Sequence, residues 1–233
     1  QIAPKRMTGR YRIPEVLAVD GNLVAQQRLY GPDMLNIILR SPEAVGSLMM
    51  DAADWLKQFH GPVKEQHYDL GSTRAYRTFM NALVADTERF KRNGDFVRIG
   101  QMLEEKWKQK RPRSPIGLVH GDMSPIHVFY EDGNVYGIDF NASHEGPTNE
   151  DPGMFIGNAN YHLACAGKPQ SYINGAMGSF LDAYGVPIEI GFYIARSDYA
   201  KARAAKDPSR LLVASRRLLE RPFDISMIEI PKV

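Results

Sequence analysis

Apolar residues along this chain recur at two different periods, and the changes of period divide it into elements. Ile13-Pro14-Glu15-Val16-Leu17-Ala18-Val19 is an apolar, largely β-branched run, Asp20-Gly21-Asn22 is turn-forming, and residues 23–29 return as a second run. Asp-Gly between apolar runs predicts a β-hairpin, which Gly31-Pro32 then interrupts. From Ser41-Pro42-Glu43 the period becomes helical. A hydroxyl suited to an N-cap, a proline at the first helical position and an acid near the positive end of the dipole predict a helix start. Val45, Leu48, Met49, Ala52, Leu56 and Phe59 then form one stripe that ends at Gly61-Pro62. A second stripe holds Tyr76, Phe79, Met80, Leu83, Val84 and Phe90, and a third, over residues 96–107, holds Ile99, Met102 and Leu103. These stripes are core positions and carry no chemistry of their own.

Residues 117–140 break the helical pattern. Leu118-Val119 leads into a His-Gly-Asp loop. Val128-Phe129-Tyr130 and Val135-Tyr136-Gly137-Ile138 predict two strands joined by the turn Glu131-Asp132-Gly133-Asn134. Helical periodicity resumes over residues 152–166, 171–184, 188–205 and 208–220, and the apolar tail 223–233 suits an extended strand. The expected class is α+β, dominated by helices, with no internal repeat and no low-complexity tract.

Composition narrows the function classes. With 43% hydrophobic residues in 233, a sizeable core is within reach, and a formal charge of +2 argues against a generally nucleic-acid-binding surface. Charge is uneven, however: Lys201, Arg203, Lys206, Arg210, Arg216, Arg217 and Arg221 crowd the C-terminal quarter, a solvated helical face or a patch that would steer an anionic small molecule. The single cysteine, Cys165, excludes an internal disulfide and is expected as a small buried residue. No apolar run reaches membrane-spanning length, the first six residues lack the apolar core of a signal peptide, and the cytoplasm is the expected location. The first residue is Gln1 rather than Met, so a longer parent protein is expected.

The chemistry concentrates in Val119-His120-Gly121-Asp122-Met123-Ser124-Pro125-Ile126-His127-Val128, followed by Gly137-Ile138-Asp139-Phe140. An acid in a loop, a possible metal ligand five residues later and a second acid at the end of a hairpin are the parts of a phosphoryl-transfer site. One carboxylate orients the attacking hydroxyl; the other, with a neighbour, holds a divalent cation on the nucleotide phosphates. The order of strand pair, Gly-Pro break, helices, acid loop, hairpin, acid and helices resembles the aminoglycoside phosphotransferase and choline kinase-like family, mainly its C-terminal lobe. The resemblance spans nearly the whole chain and is most specific over residues 118–152.

That resemblance implies a protein-kinase-like fold, with residues 1–31 a remnant of the N-terminal lobe's sheet and hinge and residues 32–233 the helical C-terminal lobe. It implies that Asp122 is the catalytic acid, that His120 anchors the loop, and that Asp139 binds the metal. Asp151, after Gly146-Pro147, would hydrogen-bond the catalytic loop in a structural role. Gln26-Gln27-Arg28-Leu29 resembles the hinge, where the Gln27 carbonyl and the Leu29 amide would hold the base of ATP or GTP. The acceptor would be a hydroxyl-bearing small molecule, with no nucleic acid or membrane as partner.

Two departures from the family pattern keep alternatives open. His127 stands where the family has asparagine, and imidazole suits manganese or zinc better than magnesium, which prefers hard oxygen ligands. In addition, only about a dozen residues precede the first hairpin, with no glycine-rich phosphate loop and no strand-borne lysine among them. A non-catalytic, pseudokinase-like binding module is therefore one alternative. A metal-dependent hydrolase built from His120, Asp122, His127, Asp139 and His144 is another. His60, His67 and His162 are expected as packing or surface residues.

Overall fold

A computed structural model describes residues 7–20, 23–61, 81, 83–86, 88–109, 115–187, 189–203 and 208–221. The first described elements are β1 (Tyr11–Arg12), β2 (Val16–Asp20) and β3 (Leu23–Gln26). β2 and β3 form the expected antiparallel hairpin, with Asp20 opposite Leu23. It is shorter than the apolar runs that announce it, because Pro14 lacks the amide a strand needs and the chain leaves the ladder after Gln26. β1 is a different matter: it pairs in parallel with a strand more than a hundred residues later, an association no local pattern announces.

Two helices follow, α1 (Met34–Arg40) and α2 (Val45–His60). The sequence pattern predicts only the second, with Ser41 as its cap. Instead Asp33 caps α1, accepting the Asn36 amide at 2.8 Å, while the Ser41 hydroxyl makes no cap bond. Pro42–Ala44 then form a 3₁₀ turn into α2, and Gly61 ends α2 in the left-handed region at φ 63°. Of the second stripe, Tyr76, Phe79 and Met80 lie outside the described residues. Residues 83–86 are helical, Leu83 is buried, and Phe90 stacks on Phe96 with ring centroids 4.5 Å apart.

Next come α3 (Gly94–Gln109), β4 (Ile116–Val119), β5 (Val128–Glu131), β6 (Asn134–Gly137) and β7 (His144–Pro147). Asp132 and Gly133, both at positive φ, turn β5 into β6; this is the two-residue hairpin that Asp-Gly favours. The last four helices are α4 (Glu150–Cys165), α5 (Gln170–Tyr184), α6 (Ile190–Ala202) and α7 (Ser209–Glu220), close to the spans read from periodicity. Cys165 is exposed rather than buried, because it sits on the last turn of α4 beyond the packed face that ends with Leu163 and Ala164. The tail 223–233 lies outside the described residues.

The helices enclose one core. Trp55 and Phe59 of α2 stack at 5.0 Å, Phe155 of α4 stacks on Phe180 of α5 at 4.6 Å, Tyr193 of α6 packs on Gly153 of α4, and Ile194 and Leu211 are buried as well. The three-stranded sheet β1-β6-β5 and the pair β4-β7 lie against α2. Trp55 connects the layers: its indole donates to the Arg12 carbonyl at 2.9 Å, and its ring leaves no room for a Cβ at Gly137. Among the described residues no helix is long and apolar enough to cross a membrane.

Candidate active site

β4 ends at Val119, β7 begins at His144, and these two residues are partners in the ladder. The segment between them therefore starts and finishes at one point, which folds its two acids toward each other. Gly121 takes φ 81°, and a Cβ there would strike the Ala142 carbonyl oxygen. Only glycine fits the middle of His-Gly-Asp under those conditions. Asp122 follows, exposed, and a 3₁₀ turn over Pro125–His127 brings the imidazole back beneath it.

His127 Nδ1 lies 2.7 Å from the Asp122 backbone carbonyl. A carbonyl only accepts, so in the neutral ring Nδ1 carries the proton and Nε2 presents its lone pair. Nε2 is 3.8 Å from Asp139 Oδ2. Asp139 occupies the left-handed region, with φ and ψ both 63°, a conformation that aspartate tolerates better than most residues. Asn141 Nδ2 donates to Asp139 Oδ1 at 2.8 Å, and Phe140 inserts between Phe59, at 5.5 Å, and His120, at 5.0 Å. The strained backbone is thus held from both sides while the carboxylate stays exposed. Asp122, His127 and Asp139 each offer a ligand atom, all within 4.8 Å of one another. That spacing fits one divalent cation, and a metal-binding imidazole is commonly oriented by a carbonyl on its other nitrogen, as here.

Beneath this edge lies Asp151, fully buried at the start of α4. Its Oδ2 accepts the His120 amide at 2.7 Å and its Oδ1 the Gly121 amide at 2.9 Å. His60 Nε2 is 2.8 Å from the same Oδ2, and His60 Nδ1 is 3.0 Å from the Tyr184 hydroxyl. Burial alone would raise the Asp151 carboxyl; the hydrogen bond from His60, with His120 and its amide, brings it below the ordinary carboxylate value. His120 is also buried, which lowers its pKa. Its Nδ1 accepts the Asp122 amide at 3.3 Å and its Nε2 donates to the Ile138 carbonyl at 2.8 Å, so the ring joins the two acidic loops. Asn158 of α4 adds a third tie, donating to the Met123 carbonyl at 2.7 Å.

These contacts correct the hydrolase alternative. His120 has both ring nitrogens engaged away from the acids. His144 turns Nδ1 to the Ala142 carbonyl at 2.9 Å and Nε2 toward Glu150 at 3.7 Å. Of the five candidate ligands for that reading, only Asp122, His127 and Asp139 converge, which leaves one histidine where it calls for two. Gln27 and Leu29 lie on the segment leaving β3, away from those three in the chain. The Gln27 amide donates to the Glu15 carbonyl at 2.7 Å, its side-chain oxygen accepts the Glu15 amide at 3.3 Å, and Leu29 is half-buried.

The sequence reading missed His60, whose contact with Asp151 spans 91 positions and leaves no local signal. It also missed a cavity of about 170 Å³ beside Asp122, walled by α4 and α6 and lined in part by Glu150, Asn158, Arg196, Ser197 and Lys201.

No protein-family model matches the sequence, and no curated protein matches it. Solved structures do. A thermostable mutant of the aminoglycoside phosphotransferase APH(4)-Ia aligns over 92% of this chain and 79% of its own, with TM-score 0.60 and 14% identity. The same TM-score and identity hold for a ternary complex of a thermostable mutant of that enzyme with AMP-PNP and hygromycin B. A choline/ethanolamine kinase family protein from Mesorhizobium loti aligns over 92% of this chain and 77% of its own, with TM-score 0.55 and 14% identity. The chain has the kinase-like fold of the aminoglycoside phosphotransferases and choline kinases. At such identities the likeness concerns the fold, and the chemistry has to be argued from the site.

Proposed function

We propose that this protein is a phosphotransferase that moves the γ-phosphoryl group of ATP or GTP to a hydroxyl of a small molecule. The observation that carries this reading is the convergence of Asp122, His127 and Asp139 within 4.8 Å on a kinase-like fold. Asp122, at the tip of a loop held by Asp151 and His120, accepts a hydrogen bond from the acceptor hydroxyl and aims its oxygen at the phosphorus. Asp139 and His127 would hold the divalent cation, which neutralises charge on the phosphate oxygens. Magnesium or manganese would serve there, and the imidazole tilts the preference toward manganese. The Gln27 carbonyl and Leu29 amide would receive the base, at a hinge that ends near residue 31. The bound acceptor and nucleotide react because the loop fixes their approach, and positioning supplies most of the rate.

His127 in place of asparagine also supports a second reading, a module that binds metal-nucleotide without transfer. One experiment separates the two. Calorimetric titration of AMP-PNP with manganese or magnesium reads binding, and phosphorus NMR of ATP incubated with a hydroxyl-compound panel reads transfer. The phosphotransferase reading expects both signals, and both lost in Asp139→Asn. Binding without transfer across the panel would favour the module, and no metal-dependent binding would sink both.

A further inference from the structure

Asp122 opens onto the cavity walled by α4 and α6, where two carboxylates, Asp122 and Glu150, meet two cations, Arg196 and Lys201, but only one pair is in salt-bridge contact. Glu150 is buried, and its Oε1 meets Arg196 Nη1 at 2.8 Å. Burial alone would raise the Glu150 carboxyl; Arg196 and His144 hold it below the ordinary value, so this pair is a closed ion pair. Lys201 is in a different position. Its Nζ donates to the neutral hydroxyl of Ser197, one turn back on α6, at 3.0 Å. Among the described residues no carboxylate lies within salt-bridge reach of it. The acid nearest in sequence, Asp198, acts on the Lys201 charge but is buried behind the cavity lining, with Oδ1 unbonded. Asp122 shares the cavity and acts on the Lys201 charge from beyond salt-bridge distance, while it also offers an oxygen to the cluster with His127 and Asp139.

Among the described residues, the basic residues beyond Lys201 in the C-terminal quarter do not line this cavity. Arg203 pairs with Asp86 at 3.2 Å, and Arg216 reaches Glu220 at 3.8 Å. What remains at the cavity is one half-buried ammonium with hydrogen-bond donors to spare, which Asp198 and Asp122 stabilise from beyond salt-bridge distance without bonding it. A partly desolvated ammonium with unused donors gains from an anion that bonds it directly.

We propose that the acceptor is a compact alcohol bearing a carboxylate or phosphate group, held by Lys201 while its hydroxyl faces Asp122. This rests on the phosphotransferase reading above and adds the chemical class of the acceptor. The cavity's volume of about 170 Å³ suits a molecule of a few carbons rather than a multi-ring one. A cationic amino alcohol would place like charges together at Lys201, and a neutral alcohol would leave the ammonium unpaired. The closed Glu150–Arg196 pair adds polar lining without a net charge of its own.

The test uses four probes of similar size: D-glycerate, glycerol 3-phosphate, glycerol and ethanolamine. Binding to the wild-type chain is measured by calorimetry with manganese and AMP-PNP present, and transfer from ATP is followed by phosphorus NMR. D-glycerate or glycerol 3-phosphate should bind at least roughly 10-fold more tightly than the other two, and whichever binds identifies carboxylate or phosphate as the anion. Lys201→Met should remove that preference and raise KM for the anionic acceptor with kcat little changed, while Lys201→Arg should restore part of it. Equal binding of glycerol or ethanolamine, or an anion preference that survives Lys201→Met, would overturn the inference and leave the phosphotransferase reading standing. Selective anion binding lost in Lys201→Met, but without transfer to any probe, would support the site and count against the phosphotransferase reading.

Discussion

Asp122 and Asp139 stand exposed at the ends of two loops, whereas Asp151, at the start of α4, is fully buried and engages His60 and two backbone amides. The upper acids have few protein partners, and the one imidazole beside them is turned to leave a lone pair available. The lower acid has every oxygen committed. An active site needs carboxylates whose charge is free to act on a substrate, and a free charge contributes little to holding a loop in place. The holding is done by a charge that never meets the substrate. The two kinds of acid are therefore separable by experiment.

The largest separation is expected in activity. Asp122→Asn and Asp139→Asn should each cut phosphoryl transfer by roughly 10²–10⁴-fold. Both side chains are exposed, so the thermal midpoint should move by no more than about 2 °C. Paired kinetic and calorimetric measurements check this, and a large fall in midpoint would mean these acids support the fold as well. Asp151→Ala should behave in the opposite way. It leaves His60 and the His120 and Gly121 amides buried without their acceptor, a loss of about 3–5 kcal/mol in urea unfolding. Native stability in that variant would show that the loop is held by something else.

A smaller effect is expected with pH. The Asp151 and Glu150 carboxyls are held below their ordinary values, so the folded state binds their protons more weakly than the unfolded one. Their contribution is complete above about pH 4–5 and is lost as pH falls through the folded values. Asp198 runs with the opposite sign: burial holds its carboxyl up to about 7, so its contribution is present at low pH and declines as pH rises toward 7. Thermal midpoints between about pH 3 and 8 should therefore show an acid limb that Asp151→Ala flattens. The smallest change is expected at His127→Asn, which exchanges the imidazole for a hard oxygen. The ratio of manganese- to magnesium-supported transfer should fall by about 10-fold, and an unchanged ratio would remove His127 from the metal site.

Most helices were legible because each buries one face, and burial writes a 3.6-residue period into the sequence whatever the neighbours are. The Asp132-Gly133 turn was legible because its backbone demands positive φ. α1 was not read: its seven residues give too short a stripe, and the capping bond belongs to Asp33, behind a Gly-Pro break. Ser41 looked like a cap and is none, since the preceding helix already ends there.

The order and spacing of His120, Asp122, His127, Asp139 and Asp151 were determined by the sequence alone, because loop chemistry depends on residue type within a short stretch. Their convergence was decided by tertiary structure. Pairing Val119 with His144 closes the loop onto itself, and the buried end of α2 delivers His60 to Asp151. The same holds for the basic C-terminal quarter, where composition announced a cluster but only packing left Lys201 facing the cavity. A sequence records which charges exist; whether each is spent on a neighbour or kept for a ligand depends on distances that only the fold creates.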